Sequence, residues 1–395
     1  MHRLKQLTLL TAFSLFTYGC VEVHSEGNQQ HNLTKDSHAI NKEDSLKAAA
    51  EAHALELKKS NLDSIFQHIH QYRRFNGTVL VSQKGDVLYK NAFGYKDFSS
   101  RAKMESHDIF QLASVSKQFT AMAIMLLKQR GQLDYDESVK KYLPDFPYDE
   151  SITIRQLLTH RSGLPNYIYV ADKKVDDQRE PTTNEDMLKF FFEEKPNIYG
   201  QPDGRFDYNN SNYFLLSCIV EHVADKPFWQ FMNEEFFEPI GMENTFAWNE
   251  KQAETHQDKL TTGYSGRRKA FHSYFLDSVL GDKSIYSSAE DLYKWDQAIF
   301  GYQIIKKEIL EEAFEDSIDK TKSQRNYGFG YRLFHCSDGT KVIWHSGWWR
   351  GYATLFVHYP ANETTLIVLS NYVNKSYLNL NSVLDLLEIP EFKRV

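Results

Sequence analysis

Residues 109–131 read IFQLASVSKQFTAMAIMLLKQRG. The first residues are strand-like. The pattern then changes to a long apolar helix that ends at Gly131. Its apolar run is too short to cross a bilayer, which predicts a helix buried on all sides. Ser114 and Lys117 stand three apart, on one face within one turn. A serine is a usable nucleophile when something removes its proton. A lysine held neutral by burial or by neighbouring charge does so, and a helix N-terminus favours the developing anion. Ser-x-x-Lys occurs at Ser100/Lys103, Ser114/Lys117, Ser138/Lys141 and Ser317/Lys320. Only the second lies between a strand-like segment and a long apolar helix. The others read as solvated surface.

Further along, Tyr208-Asn209-Asn210 sits in RFDYNNSNYFLL, where a loop leads into an apolar helix. A tyrosine can relay a proton when cations lie near, and an asparagine both donates and accepts hydrogen bonds. Tyr-x-Asn recurs at Tyr89, Tyr372 and Tyr377, so context singles out Tyr208. Closer to the C-terminus, VIWHSGWWRGY contains His345-Ser346-Gly347 at the end of a β-rich run. A glycine two residues after a polar side chain lets a substrate backbone approach the strand. The N–H of Trp348 would then pair with that of Ser114 as an oxyanion hole.

The flanking segments supply an architecture. LDSIFQHIHQYRRF has helical spacing from Leu62, and GTVLVSQKGDVLYKNAFGY predicts a hairpin about Lys84-Gly85-Asp86. Residues 132–320 read largely as helices and loops. KVIWHSGWWRGYATLFVHYPANETTLIVLSNY predicts three strands, followed by a helix from about Tyr377. Strands at both ends and helices between them can form one antiparallel sheet with a helical region beside it. The cleft between the two is the natural substrate site.

The chain has 395 residues, 41% hydrophobic and 14% aromatic, which places it in the globular class. A net charge of −7 without a basic patch speaks against nucleic acid as a partner. His2, Arg3 and Lys5, an apolar run from Leu7 to Tyr18, then Gly19-Cys20 predict a signal peptide over 1–19. The small residue before Cys20 resembles a bacterial lipoprotein signal, although Thr17 stands where leucine is usual. That resemblance implies lipidation at Cys20, a membrane anchor and an extracytoplasmic place in the cell envelope. Residues 20–60 are expected to form a polar tether with a helical end, and 61–395 the folded domain. No Cys/His cluster has zinc spacing, so no metal or other cofactor is expected. A Cys218–Cys336 disulfide stays open in an oxidising compartment.

Ser-x-x-Lys, Tyr-x-Asn and His-Ser-Gly in this order resemble the signature of the penicillin-recognising serine hydrolases. The flanks FQLASVSKQFTA, ITIRQLLTHRSGLP, FDYNNSNYFLLSCIVE, FFEPIGMENT, GDKSIYSSAEDLYKW and WHSGWWRGY resemble the class C β-lactamase, DD-peptidase and β-lactamase-like esterase branch. The resemblance spans about 62–372. It implies an α/β sandwich, an antiparallel β-sheet flanked by helices plus an all-helical region. It further implies that Ser114 is acylated, that Lys117 activates it and that Tyr208 shuttles the proton. Asn210 would orient Lys117 and the substrate amide, and His345, Ser346 and Gly347 would line the substrate strand. His345 replaces the lysine of typical class C enzymes, which argues against an efficient β-lactamase, because neutral imidazole holds a carboxylate less firmly than ammonium. The expected substrate is a small ester or amide or a peptidoglycan-derived peptide. A non-catalytic penicillin-binding or sensor lipoprotein on the same fold is the alternative.

Overall fold

A computed structural model describes residues 30–175, 180–318, 324–373 and 380–392. The segment 1–19, Cys20 and Lys320 lie outside the described residues.

Helix α1 runs over Gln30–Arg73. It is longer than the helical end expected of the tether, because the stretch contains neither Gly nor Pro and is rich in Ala, Leu, Lys and Glu. Its N-terminal part belongs to a first compact unit, residues 1–56, whose described side chains, from Asp44 on, are exposed. The remainder opens the second unit, residues 57–395. There Leu62, Phe66 and Ile69 repeat at helical spacing and are buried. Among the described residues no helix is long and apolar enough to cross a membrane.

Strands β1 (Gly77–Gln83) and β2 (Asp86–Phe93) form the predicted hairpin. Two short strands, β3 (Tyr95–Asp97) and β4 (Ala102–Lys103), pair with each other. β5 (Phe110–Gln111) precedes a 3-10 turn over Ala113–Ser116, and α2 (Lys117–Gln129) follows at once. Next come α3 (Val139–Tyr142), α4 (Ile154–Leu158), α5 (Tyr167–Lys174), α6 (Asn184–Glu194), α7 (Asn210–Ala224) and α8 (Phe228–Met232). The middle closes with β6 (Phe246–Ala247), α9 (Glu250–Thr255), a 3-10 turn at Phe275–Ser278, β7 (Ile285–Ser287), α10 (Ala289–Phe300) and α11 (Lys307–Glu312). β5, β7 and β6 make a small sheet in that order.

β8 (Arg325–Tyr327) and β9 (Arg332–His335) lead into the three predicted strands β10 (Lys341–Trp349), β11 (Tyr352–Tyr359) and β12 (Thr364–Ser370). α12 (Asn381–Leu386) follows; the expected start near Tyr377 lies outside the described residues. The main sheet is antiparallel in the order β2-β1-β12-β11-β10-β9-β8. Both chain ends thus meet in it, as the strand pattern requires.

Every residue of β11 and β12 is buried, because both faces of the sheet are covered. One face packs on Leu62, Phe66, Val383 and Leu384 of α1 and α12. The other packs on Phe119, Met122, Leu292 and Trp295 of α2 and α10. Full burial of such a side chain stabilises by about 1.5–3 kcal/mol. α2 itself is buried continuously from Lys117 to Leu127, as its apolar run predicts. The open disulfide is not formed. Cys218 and Cys336 are free and buried on opposite sides of the sheet, in separate apolar clusters.

Candidate active site

Ser114 lies in the 3-10 turn and Lys117 is the first residue of α2, so the pair straddles a helix start. Ala113, just before the serine, holds a left-handed backbone at φ 50°. Such strain costs on the order of 1–3 kcal/mol and persists only where its surroundings enforce it. Here Leu112 is pinned twice: its N–H donates to the Ile285 carbonyl at 2.8 Å, and its carbonyl accepts from Thr354 Oγ1 at 2.7 Å.

Lys117 has no exposed surface, whereas Ser114 is half-buried and open to solvent. Lys117 Nζ donates to Asn210 Oδ1 at 2.8 Å and to the Asp282 carbonyl at 2.8 Å. Its third direction meets Ser114 Oγ at 3.2 Å. Two pure acceptors therefore fix the amine and leave one direction for the serine.

The segment LLTHRSGLP builds the platform for Tyr208 and Asn210. Asn209 caps α7 by accepting from Ser211 N–H at 2.9 Å. Asn209 N–H and Asn212 Nδ2 donate to His160 Nδ1 at 3.2 and 3.0 Å. With two donors on Nδ1, the proton of a neutral His160 resides on Nε2. Ser162 Oγ donates to Asn212 Oδ1 at 2.6 Å, and Ser211 Oγ to the Pro165 carbonyl at 2.6 Å. Gly163 has φ 71°, and a Cβ there would lie 2.2 Å from the Gly200 carbonyl oxygen, so the loop needs glycine.

Two basic side chains lie close to the Tyr208 ring centroid, Lys117 Nζ at 5.0 Å and the Arg332 guanidinium at 4.9 Å. Its hydroxyl is buried and meets no hydrogen-bond partner among the described residues. An unmet buried hydroxyl costs about 1–3 kcal/mol.

β10 completes the site. β9 pairs with β10 from Lys341 to Trp344 only, so from His345 onward that edge has no paired strand among the described residues. Gly347 lets the edge lie against the serine turn: a Cβ there would stand 2.3 Å from the Leu112 carbonyl oxygen and 3.0 Å from Ala113 Cβ. The backbone of Gly347 and Trp348 thus adjoins the Ser114 turn, while the Trp348 ring is 67% exposed. Ser346 is partly exposed beside them.

His345 is placed differently from the sequence expectation of a substrate-facing side chain. It has no exposed surface. Its Nδ1 lies 2.8 Å from the Ser346 carbonyl and its Nε2 3.3 Å from Tyr327 Oη. The carbonyl only accepts, so Nδ1 donates and Nε2 accepts from the tyrosine. Burial, then the charges of Arg332 and Lys117, hold His345 well below the usual imidazole range. Burial, then Lys117, His345 and Arg332, do the same for His160. Both rings are neutral, and His345 ties down a strand carbonyl.

The cation on this wall is Arg332, opposite Trp344 in the β9–β10 register. It is partly exposed and makes neither ion pair nor hydrogen bond among the described residues; its contacts are the rings of Tyr208, Tyr327 and Trp344. Sequence reading did not single out Arg332, His160 or Asp282. His160 and Asp282 stand in the quoted flanks, whereas Arg332 lies in YGFGYRLFH, where no spacing marks it. The described residues contain no group of three or more His, Cys, Asp or Glu side chains placed to hold a metal ion.

Comparison with known proteins agrees with this architecture. The sequence model of the family Beta-lactamase matches residues 62–386. Penicillin-binding protein 4* of Bacillus subtilis is 32% identical over 328 residues, 80% of this chain and 72% of that protein. The putative penicillin-binding protein PbpX of the same organism is 29% identical, over 77% of this chain and 72% of that protein. Among solved structures, the octameric penicillin-binding protein homologue from Pyrococcus abyssi superposes with a TM-score of 0.74 at 25% identity, covering 85% of this chain and 79% of that one. The D-amino acid amidase from Ochrobactrum anthropi shares the fold with a TM-score of 0.67 at 22% identity, over 83% of this chain and 98% of that one. With its sheet, its flanking helices and a family match over most of its length, this chain belongs to the β-lactamase family.

Proposed function

We propose that the protein is a serine acyl hydrolase that forms an acyl-enzyme at Ser114 with an ester or amide substrate. One observation carries this reading: Lys117 Nζ is fixed by two acceptors and has its remaining direction on Ser114 Oγ at 3.2 Å. In its amine form Nζ donates to Asn210 and Asp282 and takes the serine proton as Oγ attacks the carbonyl carbon. The N–H groups of Ser114 and Trp348 hold the tetrahedral oxyanion. The Tyr208 hydroxyl, without a hydrogen-bond partner among the described residues, is available to pass a proton to the leaving group and later to take one from the deacylating water.

Arg332 fits an anionic group on the substrate, such as the carboxylate of a penicillin, and the likeness to penicillin-binding protein 4* supports a carboxylate-bearing class. Arg332→Gln should raise KM for carboxylate-bearing substrates about tenfold, as loss of a partly screened charge contact of ~1.4 kcal/mol implies, with little change for neutral esters. Equal losses on both substrates would remove Arg332 from recognition. His345→Lys, by contrast, buries a new cation near Arg332 and should lower the melting temperature without improving penicillin acylation.

Intact-mass analysis after exposure to a fluorophosphonate and to a labelled penicillin tests the main reading. A single adduct on Ser114 from the fluorophosphonate is expected. A folded protein without adduct overturns the reading in favour of the non-catalytic binding lipoprotein. Labelling by both reagents points to D-peptide amides, and by the first alone to esters.

We further propose that the mature chain is exported and anchored through lipid on Cys20, on the strength of the basic and apolar start before Gly19-Cys20. Wild type should then partition with membranes and carry a lipid mass, and Cys20→Ser should not. Identical fractionation with no lipid on either excludes the anchor.

A further inference from the structure

Behind Lys117 lies a second buried lysine that the acyl-transfer steps do not use. Lys283 and Asp282 are 3% and 1% exposed. Lys283 Nζ donates to Tyr167 Oη at 2.7 Å, to the Val279 carbonyl at 3.3 Å and to Asp282 Oδ1 at 3.4 Å. It also sits over the rings of Trp349 and Tyr167, 5.2 and 5.4 Å from their centroids. Tyr167 Oη in turn donates to Asp282 Oδ1 at 3.0 Å. Trp349 Nε1 donates to Asp277 Oδ1 at 2.7 Å, which ties the 3-10 turn at Phe275–Ser278 to the substrate strand.

The backbone of this cluster grips the start of α2. The Gly281 carbonyl accepts from Thr120 Oγ1 at 2.7 Å, the Asp282 carbonyl from Lys117 Nζ at 2.8 Å, and Ile285 N–H donates to Ser116 Oγ at 3.1 Å. Gly281 at φ 100° and Ser284 at φ 71° make a tight left-handed turn. A Cβ on Gly281 would lie 2.3 Å from the Tyr213 carbonyl oxygen. A buried ion pair is on average no better for stability than apolar residues of the same volume. Stability alone therefore does not explain a lysine here.

We propose that Lys283 is a positioning residue for Lys117: held by Tyr167, the Val279 carbonyl and Asp282, it fixes the Asp282 carbonyl against Lys117, and its charge offsets that of Asp282 and Asp277 beside Nζ. The proposal rests on the reading of Lys117 as the amine that takes the Ser114 proton. Lys283 is faced by Tyr167 from α5, Asp277 from the 3-10 turn, Trp349 from β10, Asp282 from its own turn and Lys117 from α2. Lys117 is faced in addition by Tyr208, Tyr213 and Asn210, and by His160 and His345, both neutral through burial. Burial holds the Lys283 ammonium below its ordinary range, and Asp282 and Asp277 oppose this.

The sign follows. Without the Lys283 charge, the field of Asp282 and Asp277 beside Nζ is unopposed, so transfer of the Ser114 proton to Nζ is expected to need a higher pH. The experiment is the rate of fluorophosphonate labelling of Ser114 against pH, on the full chain, with folding checked by thermal melting. Lys283→Gln, which keeps a donor for Tyr167 and Val279, should move the acidic limb up by about one pH unit, a tenfold slower rate below the limb. Lys283→Arg retains the charge and should keep the limb within ~0.3 units of wild type. Should Lys283→Gln not fold, Asp282→Asn carries the test with opposite sign, its limb moving to lower pH. A Lys283→Gln limb coincident with wild type, an Arg variant displaced as far as the Gln variant, or an Asp282→Asn limb that stays or rises overturns the proposal. Absence of labelling on wild type itself overturns the serine reading instead.

Discussion

Ser114→Ala is expected to abolish covalent labelling and to lower hydrolysis by about 10⁴–10⁶-fold, leaving what oxyanion stabilisation and binding alone supply. The fold should not suffer. Ser114 is half-buried at a turn held by Leu112 and Thr354, and its Oγ contact with Lys117 is one of three that Nζ makes. The melting temperature is therefore expected within a few degrees of wild type, which separates loss of chemistry from loss of structure. Steady-state hydrolysis of an activated ester and intact-mass labelling on the same preparation check both halves. Residual labelling of Ser114→Ala at another residue would move the nucleophile elsewhere.

The second large effect belongs to Lys117→Met, expected to slow acylation on the order of 10²–10⁴-fold or more, the share that general base catalysis supplies. Methionine fills a similar volume in the fully buried site. It leaves Asn210 Oδ1 and the Asp282 carbonyl without this donor, at about 1–3 kcal/mol each. It also removes a buried polar amine, whose transfer from water is itself costly. These oppose each other, so the variant should fold. Tyr208→Phe should likewise slow turnover, yet leave stability unchanged or raised, because its hydroxyl has no partner to lose. The double variant Lys117→Met/Tyr208→Phe should be no slower than the worse single by more than about tenfold, since groups acting on one proton path do not add. Full multiplication of the two losses would place the residues on separate steps.

Parts of the fold were legible because they bury surface in a regular period. The hairpin about Lys84-Gly85-Asp86 and the three strands from Lys341 show β-rich runs broken by turn residues. The run from Phe119 to Leu127 is apolar on all sides because α2 is enclosed. β6 and β8 were harder, since two or three residues cannot display a period, and each exists only because a partner strand lies beside it. The length of α1 was underestimated for the converse reason: helix propensity without an apolar stripe resembles a solvated tether.

The sequence by itself singled out the candidate nucleophile and its neighbour. Ser114 and Lys117 are three residues apart at a helix start, where that spacing puts them on one face and in contact. Tyr208, Asn210 and the Gly347 edge were named by motif order, and the structure brings them to the same turn. Only the tertiary structure decided the electrostatics. It sank His345 beneath Tyr208 and Tyr327 as a neutral tether, left the Arg332 guanidinium without an anion on the adjoining strand, and set the Lys283–Asp282 pair behind Lys117. Burial and charge pairing depend on what packs against a side chain from distant parts of the chain, and no local spacing encodes that.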